Sequence, residues 1–392
     1  MANKVKTLFL AFVFLSLLAM ERTLIAQTPS RLEVISALNR LDKGTPVSLV
    51  YNARVQAYID VYTLQRRDHL STIIGRAEIY FPLFEEYLDK YNLPMELKYI
   101  AVVESALDPK AQSSSGAKGL WQFLYQASRL FNLKVDSYVD ERCDPVKSTD
   151  AACRYLKYLY DNFKDWNLVL AAYNGGIAQV HNAIEKSGGS TDFWTISEFL
   201  PKETQGYVPA FIAVNYVMNY YMHFGIAPAK ASFNFDDLGF VFLEKSISFN
   251  QLASFLKISE ETIGEMNPLY TKGFIPVYNE PVQIVIPRDR VMDYLKQRTL
   301  LEEEKYPPTT LLPYGFKEGY ERIVHKVLPG EFFHKIAMKY RVRVEDVQLW
   351  NDMKTRDLNA GQFLVIWKRP AGQVPFTLKR MLNHKSDEDY IN

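Results

Sequence analysis

Between Ser30 and Gly225 the apolar residues of this chain recur every three or four positions and almost nowhere alternate with a period of two. That spacing lines one face of a helix and gives a strand no apolar side, so this part of the chain is confined to a mainly α fold. The run opens with a helical region over residues 30–92, carried by VQAYIDVYTL and YFPLFEEYL. Pro94 suits the start of a helix, and Met95 to Leu107 meets no breaker before Asp108-Pro109. Ser113 to Gly119 reads as a tight loop of small residues. Further helices are predicted over Leu120–Phe131, Ser148–Phe163, Leu168–Tyr173, Ile177–Lys186 and Glu203–Phe224.

After Pro228 the pattern gives way to short strand-like runs flanking brief helices, and an internal repeat appears. FNQLASFLKISEETIGEMN, from Phe249, aligns without a gap on FHKIAMKYRVRVEDVQLWN, from Phe333. The register pairs Leu252 with Ile336, Ala253 with Ala337, Ile258 with Val342, Glu261 with Glu345, Ile263 with Val347 and Asn267 with Asn351. Strand-like runs bracket each copy, VFLEKS and VQIVIP around the first, IVHKVL and FLVIW around the second. Two strand-helix-helix-strand (βααβ) modules are predicted, joined by the proline-containing charged stretch LLEEEKYPPTTLLPYG.

Lys4 and Lys6 precede an apolar run from Leu8 to Met20, long enough for a signal-peptide core and short for a membrane span. Export is expected, with cleavage after Ala26 and an uncleaved anchor as the alternative, since Leu24 occupies a place where a small residue is preferred. No cysteine lies near this segment, so no lipid anchor is predicted. The chain's only cysteines, Cys143 and Cys153, are ten positions apart. An oxidising compartment allows a disulfide, and two separate buried thiols are the other reading. Ser148 or Thr149 is expected to cap the helix that contains Cys153. In 392 residues, 48% hydrophobic, there is material for two or three packed domains, and a net charge of +1 offers no reason to expect nucleic acid as a partner. The six histidines show no paired metal spacing, so neither a metal nor another cofactor is implied.

On the helix that begins at Pro94, Leu97, Ile100, Ala101 and Glu104 fall at i, i+3, i+4 and i+7. Glu104 thus joins a face otherwise suited to a core, and it is the only charged residue from Tyr99 to Leu107. Burial penalises the ionised carboxylate and raises its pKa, as a general acid working near neutral pH requires. The alternative is a glutamate at a helix end that points into solvent. Downstream stand GLWQF with Trp121 and Gln122, AAYNGG with Tyr173 and Asn174, and ETQGYVPAF with Tyr207.

The stretch ESALDPKAQSSSGAKGLWQF, from Glu104 to Phe123, resembles the lytic transglycosylase signature of the goose-type lysozyme superfamily. The AYN and ETxxYV segments follow in that family's order, and the resemblance covers roughly Leu93 to Phe224. Within the family the chain is similar to the membrane-bound lytic murein transglycosylase D group, whose members carry carbohydrate-binding LysM modules after the catalytic domain. The resemblance implies a lysozyme-like domain in which Glu104 is both acid and base. The C6 hydroxyl of the muramic acid would attack its own anomeric carbon and leave a 1,6-anhydro end. It further implies that Ser105 supports the surroundings of Glu104 and that Gln122, Tyr173, Asn174 and Tyr207 line the sugar cleft. A single-carboxylate mechanism fits the lack of a convincing second carboxylate, which ordinary glycosidases need. Asp108 reads as a turn cap before Pro109, Trp121 and Phe123 as core residues, and Gly175-Gly176 as a helix end. The alternatives are a goose-type lysozyme that delivers water, and a non-catalytic wall-binding scaffold.

The second repeat resembles a LysM domain, with Pro329-Gly330 at its first turn, Asn351 ending its second helix and Gly361-Gln362 before its last strand. Glu331 stands where that family usually has aspartate. The first repeat lacks the turn glycine and the Gly-Gln pair and is expected to be a LysM-like module that either binds sugar weakly or serves as a spacer. The expected division is a signal peptide at 1–26, a helical region at 30–92, a lytic transglycosylase domain at 93–228, a LysM-like module at 238–290, a linker at 291–320, a LysM domain at 321–370 and a polar tail at 371–392. The expected partner is the peptidoglycan glycan strand, met by a monomer in the periplasm or cell envelope.

Overall fold

The structure, a computed structural model, describes residues 29–278, 280–296 and 321–368, the last stretch apart from 341, 343, 352 and 354–357. The expected signal peptide, most of the linker and the polar tail lie outside the described residues. Among the described residues no helix is long and apolar enough to cross a membrane. The described residues divide into two compact units, one reaching to Lys134 and resuming over Glu141–Leu238, the other taking Val135–Asp140 and the described residues from Gly239 onward.

The first unit is helical. Helix α1 (Arg31–Asp42) is held at its start by a capping box in which Ser30 and Glu33 satisfy each other's backbone N–H groups. Helix α2 (Ala53–Asp60), capped by Asn52, runs on through a π-helical turn at Val61–Gln65, and α3 (Arg67–Lys90) follows. The expected helix from Met95 to Leu107 is a 3-10 turn at Met95–Lys98 followed by α4 (Tyr99–Ser105). It ends two residues early because Ala106 and Leu107 both turn left-handed, at φ 51° and 58°.

The expected helix over Leu120–Phe131 is helical only in α5 (Tyr125–Leu130). Residues 120–124 form a turn instead, in which Gln122 is left-handed at φ 48° and the fully buried Trp121 donates its indole N–H to Thr149. Helix α6 (Pro145–Phe163) begins three residues before the predicted cap, because Asp144 accepts the N–H groups of Val146 and Lys147 and Pro145 takes the first position. Ser148 and Thr149 are therefore corrected from caps to buried interior residues, whose hydroxyls donate back to the carbonyls of Asp144 and Pro145.

Of the two readings of the cysteines, a disulfide or two separate buried thiols, the structure has the second. Cys143 ends the 3-10 turn Glu141–Cys143, Cys153 lies inside α6, and both are buried thiols with no bridge between them. Burial pushes the Cys153 thiol up to about 12, so it stays protonated.

Helices α7 (Trp166–Gly175), α8 (Ile177–Lys186) and α9 (Phe193–Ile196) lead into α10 (Lys202–Tyr220). From Tyr207 to Met218 every residue of α10 is buried, which makes it the central rod of the unit. It packs against α2, α4 and α7. That arrangement brings the first turns of α10, the end of α4 and the end of α7 to one place.

The second unit holds both repeats. In the first, β1 (Leu238–Leu243) pairs with β4 (Val282–Pro287) and β2 (Ile247–Ser248) with β3 (Phe274–Ile275), around α11 (Phe249–Leu256) and α12 (Glu260–Met266). In the second, β5 (Glu321–Lys326) runs antiparallel to β6 (Phe363–Lys368), with α13 (Phe333–Tyr340) and α14 (Val344–Trp350) between them. The aligned pairs Leu252 and Ile336, Ala253 and Ala337, and Ile263 and Val347 are buried in both copies. Asn267 accepts the Val285 N–H and donates to the Val285 carbonyl, and Asn351 makes the same pair with Val365. One asparagine thus ties the second helix to the last strand in each module, even though the first has lost the turn glycine. In the second, Glu331 accepts from the Leu328 N–H and meets His325, closing the turn in front of α13.

Candidate active site

Helix α4 presents Glu104 at its last turn, with Leu97, Ile100 and Ala101 of the same stripe fully buried beneath it. The side chain retains some surface, as a group that must reach a substrate needs, while its carboxyl is enclosed by protein. Burial is the largest influence and pushes the carboxyl up to about 7 from its ordinary 4.5. The Tyr207 hydroxyl donates to the carboxyl at 2.6 Å and pulls the value partly back, and the charge of Glu203 pushes it up again. At neutral pH both protonation states are therefore populated, which suits a group that first gives and then takes a proton.

The chain immediately after Glu104 is pinned. Ser105 donates to the Ala101 carbonyl of its own helix and to the Leu120 carbonyl of the GLWQF segment, both at 2.9 Å. The left-handed Ala106 is caught through its carbonyl by Arg76 of α3 at 3.1 Å, and Arg76 also faces Asp108 at 3.7 Å. Asp108 accepts the Lys110 N–H, the turn-capping role expected of it. Gln122 donates its amide N–H groups to the carbonyls of Ala111 and Gly119, holding the small-residue loop closed. Gly119 has φ 83°, and a Cβ there would lie 1.8 Å from the Arg142 carbonyl oxygen, so only glycine fits.

From α7, Tyr173 donates its hydroxyl to the Trp121 carbonyl at 2.8 Å. Burial first, and the charge of Glu104 next, raise the Tyr173 and Tyr207 phenols well above their ordinary range, so both remain hydroxyl donors. Asn174 is gripped by α10: the Thr204 hydroxyl donates to its Oδ1 at 2.8 Å, and its amide nitrogen approaches Glu203 Oε1 at 3.4 Å. Glu104, Tyr173 and Tyr207 thus come together at one spot, and Asn174 joins them through Glu203 and Thr204. Ser105 and Gln122 lie behind as loop anchors, and the two cysteines take no part. Among the described residues no cluster could hold a metal ion.

Three contributors were not singled out from the sequence. Glu203 and Thr204 precede Tyr207 by four and three positions, so helical spacing within ETQGYV already placed them on its face. Arg76 carried no signal of its own, because its target is a backbone carbonyl 30 positions away.

Comparison with known proteins places this geometry in a family. Residues 82–195 match the Transglycosylase SLT domain, residues 239–302 the Lytic transglycosylase MltD, LysM-like domain, and residues 325–367 the LysM domain. The membrane-bound lytic murein transglycosylase D of Escherichia coli strain K12 is 30% identical over 319 residues, covering 80% of this chain and 69% of that protein. The chain belongs to the lytic murein transglycosylase D family. The soluble lytic murein transglycosylase of the same organism is 31% identical over 162 residues, 40% of this chain and 25% of that one. Among solved structures, the 70 kDa soluble lytic transglycosylase from Escherichia coli is 24% identical with a TM-score of 0.34, over 53% of this chain and 34% of that chain. Its complex with bulgecin A gives 26%, 0.35, 53% and 33%. This transglycosylase spans about a third of the length of those solved chains. Within it, Arg76, Glu203, Thr204 and Tyr207 all fall outside the 82–195 match, so the catalytic-domain match alone does not contain the whole site.

Proposed function

We propose that this transglycosylase cleaves the β-1,4 bond between N-acetylmuramic acid and N-acetylglucosamine in peptidoglycan, with Glu104 as its only acid and base. The observation that carries this reading is the enclosed Glu104 carboxyl, raised to about 7 and held by the Tyr207 hydroxyl at 2.6 Å. In the first step the neutral acid protonates the glycosidic oxygen, and the bond to the anomeric carbon breaks as an oxocarbenium-like centre develops. The carboxylate so formed then takes the proton of the muramic acid's C6 hydroxyl as that oxygen bonds to the anomeric carbon. The product carries a 1,6-anhydro ring, and Glu104 regains its proton, so the cycle balances without water. Tyr207 steadies the carboxyl in both states because a phenol held well above its ordinary pKa keeps its proton and so always has a hydrogen to donate. In this reading Asn174, Tyr173, Ser105 and Gln122 shape the sugar cleft around that centre.

The rest of the chain fits an enzyme of the cell wall. Residues 1–26 direct export to the periplasm or envelope, 30–92 and 93–228 build the catalytic part, and the module at 321–370 holds the monomer on the wall, with 238–290 as a second, weaker binder or a spacer before it. A tethered weak binder raises local concentration on an insoluble polymer and leaves the chemistry alone. Removal of Tyr320 onward is therefore expected to weaken binding to purified sacculi more than turnover of a small soluble glycan; an equal fall in both would make the module structural.

Mass spectrometry of the fragments released from sacculi tests the chemistry. Anhydro ends, one water lighter than reducing ends, are expected from the wild type and none from Glu104→Gln. Reducing ends would instead assign a lysozyme-like hydrolase, and retained cleavage by Glu104→Gln would remove Glu104 from the centre of the reaction.

A further inference from the structure

The reaction just described builds positive charge on the sugar ring while the only carboxyl at the centre starts out protonated. A second carboxylate nearby would steady that charge, and the motifs contain none that was recognised from sequence. The fold supplies one. Glu203 sits in the first turn of α10, one helical turn before Tyr207, whose hydroxyl touches Glu104. Residues four apart on a helix have Cβ atoms about 6 Å apart on one face, so Glu203 shares the side of α10 that looks toward Glu104.

Its carboxylate is not idle there. Asn174 reaches Glu203 Oε1 with its amide nitrogen, while the Thr204 hydroxyl takes the amide oxygen at 2.8 Å. The two contacts fix which way the amide is turned: oxygen toward Thr204, nitrogen toward Glu203. Thr204 is 2% exposed and meets α7 so closely that a Cβ on Gly175 would come within 2.8 Å of its hydroxyl oxygen. The start of α10 is therefore locked to the end of α7 at this point. Glu203 itself is exposed, and among the described residues no lysine or arginine pairs with it. The titratable groups around Glu104 are then Tyr207 and Glu203 of α10 and Tyr173 of α7.

Resting on the reaction proposed above, we propose that Glu203 is a positioning residue and the second carboxylate of the cleft. With Thr204 it holds the Asn174 amide in one orientation, and it keeps the mouth of the site negative where the ring becomes positive. Its influence also helps keep Glu104 protonated before the reaction starts, in line with the direction in which its charge acts on Glu104.

The test compares the full-length wild type with Glu203→Gln and Glu203→Asp on a soluble uncrosslinked glycan oligomer, with kcat and KM measured across pH and thermal unfolding alongside. Glu203→Gln is expected to keep its melting temperature and to lower kcat about tenfold with KM within about twofold. The alkaline limb of its kcat/KM profile should move down by about half a pH unit, the size of a screened charge at this range. Glu203→Asp should recover part of both effects. An unchanged profile, a change confined to KM, or a loss of the folded state would each overturn the proposal. The profile follows any Glu104-dependent cleavage, so it still tests Glu203 if the wild type turned out to make reducing ends, an outcome that would sink the anhydro reaction instead.

Discussion

Glu104→Gln should make the protein more stable at pH 8 and leave it unchanged at pH 4. In the folded chain the Glu104 carboxyl ionises at about 7, against 4.5 for an ordinary glutamate. Between those values the folded state holds a proton that the unfolded chain has already released. Stability therefore falls as pH rises through this window; the contribution of the neutral acid is complete below about 4.5 and gone above about 7. The gap is worth about 3 kcal/mol at about 1.4 kcal/mol per unit. Glutamine stays neutral at every pH, and its oxygen can still accept the Tyr207 hydroxyl, so it escapes that cost without losing the contact. Chemical denaturation of both proteins at pH 4, 6 and 8, followed by tryptophan fluorescence, reads the difference directly. For a domain of 150–250 residues about 3 kcal/mol also means a melting temperature higher by roughly 6–12 °C at pH 8. An equal difference at pH 4 and pH 8 would mean that packing rather than ionisation separates the two proteins. No difference at pH 8 would refute the claim that burial holds this carboxyl neutral.

Tyr207→Phe removes the donor that pulls the Glu104 carboxyl down, so the alkaline limb of the activity profile should move to higher pH as kcat falls, the reverse of the shift expected for Glu203→Gln. Gly119→Ala should cost more than about 3 kcal/mol and read as loss of soluble protein, since its Cβ would meet the Arg142 carbonyl oxygen at 1.8 Å. Gly116→Ala is the control: its φ is also positive, at 82°, but nothing lies within 4 Å, so only about 1 kcal/mol of backbone strain is expected.

Much of the site could be read before any coordinates, for a local reason. The face that holds Leu97, Ile100, Ala101 and Glu104 follows from 3.6 residues per turn, and of the two readings that face left open, a raised buried carboxyl or a glutamate pointing into solvent, the structure has the first. The repeat was readable in the same way, since Leu252 and Ile336 or Asn267 and Asn351 occupy matched places in matched helices. Helix ends were less readable. Asp144-Pro145 is a plain start signal, yet Ser148 and Thr149 compete for it, and only the packing of Trp121 on Thr149 places those hydroxyls inside the helix. The left-handed pair Ala106 and Leu107 carries no glycine to announce it; it persists because Arg76 and Ser105 hold the chain on either side.

Local periodicity thus settles the α character of the first part, the βααβ character of the repeats and the carboxylate that sits on an apolar stripe, because each depends on residues within a few turns of one another. The partners of that carboxylate are another matter. Tyr207 lies 103 positions from Glu104, and Asn174 lies 30 from Thr204. No helical period spans such separations. Only the packing of α10 against α4 and α7 brings them within hydrogen-bond reach, and the same packing turns Glu203 from an unremarked surface residue into a charge felt at Glu104.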